Sequence, residues 1–204
     1  MAEASMEAAS IPFEIASRIS LVIFDVDGVL TDAGVWMSAG GRKHEQKRFD
    51  IQDGLGLKLL ESAGVKVVLV SGRVSPATTA RAGELELEVY QDAGADKLPL
   101  VDRLRREREL EWDEVAMLAD DLPDASVFTR VGLPAAVSNA IPLIRDTALW
   151  VSTRPGGHGA AREFCDALLR ARGDLARVVA TYVDARGGVG LGPAGRAWPK
   201  VASE

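Results

Sequence analysis

Two short apolar runs end in paired carboxylates, and those pairs are where this sequence could do chemistry. Leu21–Phe24 leads into Asp25 and Asp27, spaced i and i+2, and Gly28 then lets the chain turn sharply. Val115–Ala119 leads into Asp120 and Asp121, followed by Pro123 and Asp124. Like charges at the end of an apolar strand repel and desolvate badly, so they need a cation, a proton or a basic partner. Aspartates also cap turns after strands, and Asp25-Val26-Asp27-Gly28 alone is compatible with that plainer role. Two such clusters on adjacent strands, with neither His nor Cys nearby, favour a hard cation such as Mg²⁺. Asp124 taken by itself reads as a favourable charge at a helix N-terminus.

Two further run ends supply the complement for an anion. Val70 leads into Ser71-Gly72-Arg73, a hydroxyl and a small-residue turn ahead of a helical pattern. Backbone N–H groups in such turns bind phosphate readily. Lys97 precedes another helical pattern at Leu98, where a cation opposes the positive end of the helix. Alone it reads as a solvated lysine; beside the other three run ends it reads as the cation that holds a phosphate.

The elements that must position these residues follow from the alternation of patterns. Short apolar runs at 21–24, 65–70, 87–90, 115–118, 135–137 and 148–151 are separated by helical patterns at 54–63, 76–83, 98–110, 123–131 and 159–172. That order predicts an α/β, Rossmann-like three-layer sandwich with a mainly parallel sheet and right-handed crossovers. Gly40-Gly41, between two extendable arms in 34–49, predicts a β-hairpin insertion after the first strand with a two-residue turn. Its arm Val35-Trp36-Met37 either packs on the domain's own edge or forms a subunit interface. The glycines of 185–196 disfavour helix and strand, which predicts a flexible tail.

Composition removes other readings. The 204 residues carry 24 basic and 30 acidic side chains, a net charge of −6, so nucleic acid and anionic lipid are not expected partners. One cysteine permits no intramolecular disulfide. No apolar run approaches the ~20 residues of a membrane span. The first ten residues lack the basic start of a secretory signal, so a cytoplasmic protein is expected.

In order along the chain, Asp25-Val26-Asp27-Gly28-Val29, Ser71-Gly72-Arg73, Lys97 and Asp120-Asp121 resemble the four motifs of the haloacid dehalogenase superfamily. The stretches 25–32, 49–56 and 154–163 bring the resemblance to the 3-deoxy-D-manno-octulosonate 8-phosphate phosphatases within it. The similarity covers about 18–172 as a phosphatase domain, with 1–17 as an N-terminal extension and 173–204 as a helix end and Gly-rich tail. It implies that Asp25 is the nucleophile and Asp27 the general acid–base. It implies Mg²⁺ held by the Asp25 carboxylate, the Asp27 carbonyl and Asp120, with Asp121 either assisting or standing behind these ligands. Ser71 and Lys97 would bind the transferring phosphoryl group, and Gly72 and Arg73 count among the substrate- or phosphate-binding residues. Arg48 would replace a basic residue that relatives carry at the position of Gln52. Arg73 favours an eight-carbon sugar acid over the nine-carbon sialic-type phosphates. Room for a cap domain is lacking after either motif, so the resemblance implies a homotetramer in which a neighbour's hairpin closes each site.

Two other classes share some of these residues. A phosphorylatable receiver-type domain also combines strand-end aspartates with a lysine, but lacks an acid–base partner two residues after the phosphorylated one. A catalytically idle oligomerisation domain would have no need to keep costly carboxylates together.

Overall fold

The computed structural model describes residues 10–188. The start of the expected N-terminal extension and most of the Gly-rich tail lie outside the described residues. In chain order the elements are α1 (Phe13–Ala16), β1 (Leu21–Asp25), α2 (Ile51–Ser62), β2 (Lys66–Val70), α3 (Pro76–Glu84), β3 (Glu88–Tyr90) and α4 (Leu98–Arg106). There follow β4 (Val115–Ala119), α5 (Ala125–Phe128), β5 (Leu133–Ala136), α6 (Pro142–Thr147), β6 (Trp150–Val151), α7 (Ala160–Ala171) and α8 (Leu175–Asp184).

The six strands form one sheet in the order β3-β2-β1-β4-β5-β6, and every neighbouring pair is parallel. The central strands β1 and β4 are buried along their whole length, as expected for strands covered on both faces. Helices α2, α7 and α8 pack together on one side; α4 and α5 pack together in the other layer. Phe24 of β1 meets Phe164 of α7 edge-on at 6.0 Å, and Trp150 joins them at 5.4 Å. Gly56 lets α2 approach α7, because a methyl group there would stand 3.1 Å from the Arg162 backbone. The strand order reverses between β1 and β4, and in open α/β sheets the crevice beyond that switch point is where ligands bind.

Several elements differ from the sequence-based expectation. Helix α2 begins at Ile51 because the Asp50 side chain accepts the Gln52 N–H and caps it. The expected helix at 123–131 is a 3₁₀ turn, Leu122–Asp124, followed by the single turn of α5. Helix α8 covers part of the segment expected as a helix end and tail, and it buries Val178. The hairpin is also looser than expected. Its arms meet at one antiparallel bridge, Trp36 with Gln46, and a 3₁₀ turn at Gly41–His44 lies between them. Gly40 has φ −75° and Gly41 +72°, whereas two-residue hairpin turns need a positive φ at their first central residue.

Neither the β1–α2 connection nor the β2–β3 crossover holds a cap domain among the described residues. Val35 is half-buried, but Trp36 is 74% exposed and Met37 60%, so these two side chains do not pack on the domain's own edge.

Candidate active site

The two central strands deliver their carboxylates to one place. Asp25 ends β1, and Asp120 directly follows β4. The turn after β1 is built around Thr31, whose buried hydroxyl donates to the Val26 carbonyl and accepts from the N–H groups of Gly28 and Ala33. Gly28 adopts φ +101°, and its bare Cα leaves room for the Asp120 carboxylate. On the far side the Gly156 backbone lies against the Gly28 carbonyl, and the Gly157 N–H donates to Val29. The glycines of that loop therefore approach the chain's own first turn, where the sequence left ligand and subunit open.

Carboxylate oxygens of Asp25, Asp120 and Asp124 lie within 4.8 Å of one another. Asp124, expected only as a helix-start charge, is fully buried at the start of α5. Lys97 bridges the cluster: its Nζ lies 2.5 Å from Asp25 Oδ1 and 2.6 Å from Asp124 Oδ1. Burial works against that ammonium, but the two carboxylates hold its pKa above the usual lysine value. Burial first, then Asp25 and Asp124, push Asp120 up to about 8. Burial and Asp25 likewise raise Asp124 to about 7, against the opposing pull of Lys97. Asp120 Oδ1 and Asp124 Oδ2 are buried with no hydrogen-bond partner among the described residues. An all-oxygen cluster with two such orphaned oxygens fits a hard divalent cation.

Asp121 stands outside the three-carboxylate cluster, although its charge still acts on Asp120. It is exposed, and its carboxylate accepts the Leu122 N–H at 2.8 Å, capping the 3₁₀ turn instead of joining the cluster. The 3₁₀ turn carries the chain inward, so Asp124 takes the place that the adjacent pair had suggested for Asp121.

Ser71 lies one residue beyond the level of Asp25, because Val70 pairs with Asp25 in the sheet register. Its buried hydroxyl exchanges hydrogen bonds with the Arg73 backbone, and its N–H donates to the Tyr90 carbonyl. Gly72 is required by close approach, since a methyl group there would stand 2.6 Å from the Gly94 carbonyl oxygen. The Arg73 guanidinium donates to buried Glu45 at 3.0 Å. Arg48 turns to the Gly157 carbonyl at 2.6 Å, tying the hairpin's returning arm to the 154–159 loop. In this structure it acts as a backbone clamp.

Two residues of that arm escaped the sequence reading. The Lys47 side chain is fully buried and places Nζ 2.6 Å from Asp27 Oδ1. Glu45 is buried between Lys47 and Arg73. Both lie among four cations in 42–48, a run indistinguishable by composition from a solvated loop. Arg162 and Glu163 do not pair with each other: Arg162 bonds Asp166, and Glu163 accepts from Ser152 and Thr153 at the start of the 154–159 loop. Cys165 is a buried core residue whose thiol burial pushes upward in pKa.

Taken together, five carboxylates (Asp25, Asp27, Glu45, Asp120, Asp124) meet three cations (Lys47, Arg73, Lys97). A divalent cation would balance the two remaining charges. The arrangement can therefore gather an anionic ester at the sheet's switch point despite a net charge of −6 on the chain.

No family model matches the chain. It is 36% identical to the 3-deoxy-D-manno-octulosonate 8-phosphate phosphatase of Escherichia coli K12 over 160 residues, 78% of this chain and 84% of that protein. A crystal structure of the Moraxella catarrhalis enzyme of the same name, in complex with magnesium ion, phosphate ion and Kdo, superposes with a TM-score of 0.79 at 33% identity. That likeness covers 83% of this chain and 97% of the other. A Legionella pneumophila chain described as a haloacid dehalogenase superfamily (subfamily III A) hydrolase gives a TM-score of 0.80 at 37% identity, covering 84% and 93%.

Proposed function

The chain belongs to the family of 3-deoxy-D-manno-octulosonate 8-phosphate phosphatases, and from that membership we propose that it hydrolyses the 8-phosphate ester of this sugar acid to Kdo and phosphate. The observation that carries the reading is Lys97 bridging Asp25 and Asp124 beside Asp120, a charge arrangement suited to a phosphoryl group and a hard cation.

In this proposal Asp25 attacks phosphorus and becomes an aspartyl-phosphate as the bond to the sugar oxygen breaks. Asp27 gives that oxygen its proton. It then takes a proton from the water that hydrolyses the aspartyl-phosphate, regenerating Asp25. Lys97, Ser71 and the N–H groups around Gly72 hold the outer phosphoryl oxygens. Asp25, Asp120 and Asp124, with the Asp27 carbonyl, would hold Mg²⁺. When bound, the ion supplies positive charge against the phosphoryl oxygens. Arg73, paired with Glu45, serves the sugar acid's end of the substrate.

The exposed Trp36 and Met37 support a homotetramer in which one subunit's hairpin covers another's site, since apolar side chains at a loop tip are costly in a monomer. Light scattering tests that assembly: a monomer at working concentration would exclude it. No helix among the described residues is long and apolar enough to cross a membrane. The setting we propose is the cytoplasm, where a chain with one cysteine needs no disulfide.

The decisive measurement is phosphate release from Kdo 8-phosphate, a nine-carbon sialic-type 9-phosphate and p-nitrophenyl phosphate, each with Mg²⁺ and with EDTA. The expected result is metal-dependent release, fastest from the eight-carbon ester. Preference for the nine-carbon ester would replace the substrate and keep the mechanism. No metal-dependent release from any of the three would end the phosphatase reading.

A further inference from the structure

We propose that Lys47 is a positioning residue for Asp27: its ammonium holds one carboxylate oxygen, leaving the other to exchange the proton with the substrate. The proposal rests on the phosphatase reading above, in which Asp27 is the acid–base group.

Lys47 Nζ lies 2.6 Å from Asp27 Oδ1 and 3.3 Å from Thr78 Oγ1, and Glu45 Oε1 stands at 3.9 Å. Its side chain is fully shielded from solvent, while Asp27 remains partly open. A buried ammonium costs several kcal/mol unless it is paired. Here the pairing falls on the residue two positions after the nucleophile. Among the described residues Asp27 has no other ion-pair partner. Its aim therefore depends on this lysine. The two lysines divide the work, Lys97 on Asp25 and Lys47 on Asp27.

The backbone around Lys47 is fixed on both sides. Gln46 is bridged to Trp36, and the Arg48 guanidinium bonds the Gly157 carbonyl. Glu45 is anchored by Arg73, and Thr78 belongs to the first turn of α3, capped by Ser75. Lys47 thus reaches Asp27 from a segment held to the 71–73 turn, to α3 and to the 154–159 loop. Oδ1 makes no hydrogen bond among the described residues and is held by charge alone in this ion pair, so in this proposal Oδ2 is the oxygen that gives its proton to the departing sugar oxygen. The same Oδ2 takes a proton from the attacking water in the second half of the reaction.

The test separates positioning from scaffolding through the leaving group. A sugar alkoxide needs a proton to depart, whereas p-nitrophenolate leaves as a stable anion. For Lys47→Met, kcat on Kdo 8-phosphate should fall about 100-fold, the lower end of the range for lost acid–base assistance, with KM changed less than about threefold. With p-nitrophenyl phosphate the same variant should show a rapid burst of p-nitrophenolate, because the aspartyl-phosphate still forms while its hydrolysis slows. Lys47→Arg should recover at least about tenfold of the loss. Equal losses in the burst rate for the aryl ester and in turnover of the sugar ester would overturn the proposal, as would a loss confined to KM. If Lys47→Met fails to fold, the same leaving-group contrast in Lys47→Arg decides: a larger loss on the sugar ester supports it, and equal losses overturn it. Absence of metal-dependent turnover in the unmodified chain would instead overturn the phosphatase reading itself.

Discussion

Gly28 and Asp120 share a space that no side chain at position 28 could enter: a methyl group built on Gly28 would stand 2.0 Å from Asp120 Oδ2. The turn after β1 and the end of β4 are therefore fitted to each other where the Asp120 carboxylate joins the cluster. Gly28→Ala carries a second cost, since φ +101° is strained for any residue with a Cβ. Strain of roughly 1–3 kcal/mol should lower the melting temperature by several degrees. The displaced Asp120 should lower kcat/KM about 100-fold or more and raise the Mg²⁺ concentration needed for half-maximal rate. A steady-state Mg²⁺ titration beside a thermal melt reads both effects. Wild-type Mg²⁺ dependence in this variant would show that Asp120 does not hold the metal.

Asp124 and Asp121 make opposite predictions although they lie three residues apart. Asp124→Asn removes one of the two carboxylates on Lys97 and one oxygen of the cluster. It should weaken Mg²⁺ about 10- to 100-fold and lower kcat/KM at least as much. Asp121→Asn keeps an oxygen for the Leu122 N–H and leaves the cluster intact, so kcat/KM should stay within about threefold. Side-by-side kinetics with a Mg²⁺ titration check the pair. A reversed ranking would return the metal role to Asp121.

That contrast marks where the sequence could be read and where it could not. Asp25, Ser71, Lys97 and Asp120 each stand at a recognisable pattern boundary, and parallel strands bring such boundaries to one edge of a sheet. Asp124 hid behind a role that any helix-initiating aspartate can play, because nothing local distinguishes a cap from a buried partner of Lys97. Lys47 hid in a charged loop whose burial depends on tertiary packing against α3 and the first turn. The hairpin's existence was legible in its two arms. Its turn was not, since Gly40-Gly41 fits several backbone paths and the chain adopts a wider one.

The raised pKa values of Asp120 and Asp124 make metal binding proton-linked. Both carboxyls retain protons near neutrality in the metal-free protein, with Asp120 at about 8 and Asp124 at about 7. A divalent cation needs them ionised, so binding must release protons below those values. Mg²⁺ affinity should rise with pH through 7 to 8 and level off above about 9. Calorimetry at pH 7 in two buffers of different ionisation enthalpy should record release of about one proton per Mg²⁺. No buffer dependence would mean that the cluster is already fully ionised.

Asp53 predicts a pH dependence of stability that runs against the usual carboxylate trend. It is buried on α2, and its Oδ1 accepts the Arg162 N–H at 2.8 Å in the first turn of α7, while Oδ2 has no hydrogen-bond partner among the described residues. Burial raises its pKa from 3.8 to about 6, outweighing the N–H groups of Arg162 and Gly159 that favour the charged form. A carboxyl whose folded pKa is raised binds its proton more tightly in the folded state. Its contribution to stability is thus fully present below pH 3.8 and is lost as pH rises through about 6. At about 1.4 kcal/mol per pH unit the loss amounts to roughly 3 kcal/mol. Surface carboxylates held low by cations, such as Glu88 bonded by Lys66 and Asp174 by Arg177, act in the opposite direction and mask the effect in the whole protein. Asp53→Asn isolates it, because the amide oxygen can still accept from Arg162 and never ionises. Urea unfolding at pH 4 should find the two proteins within about 1 kcal/mol of each other, and at pH 7.5 the variant should be more stable by up to roughly 3 kcal/mol. A variant that is less stable at pH 7.5 would mean that the N-terminus of α7 holds Asp53 ionised, and that the charge fastens α2 to α7.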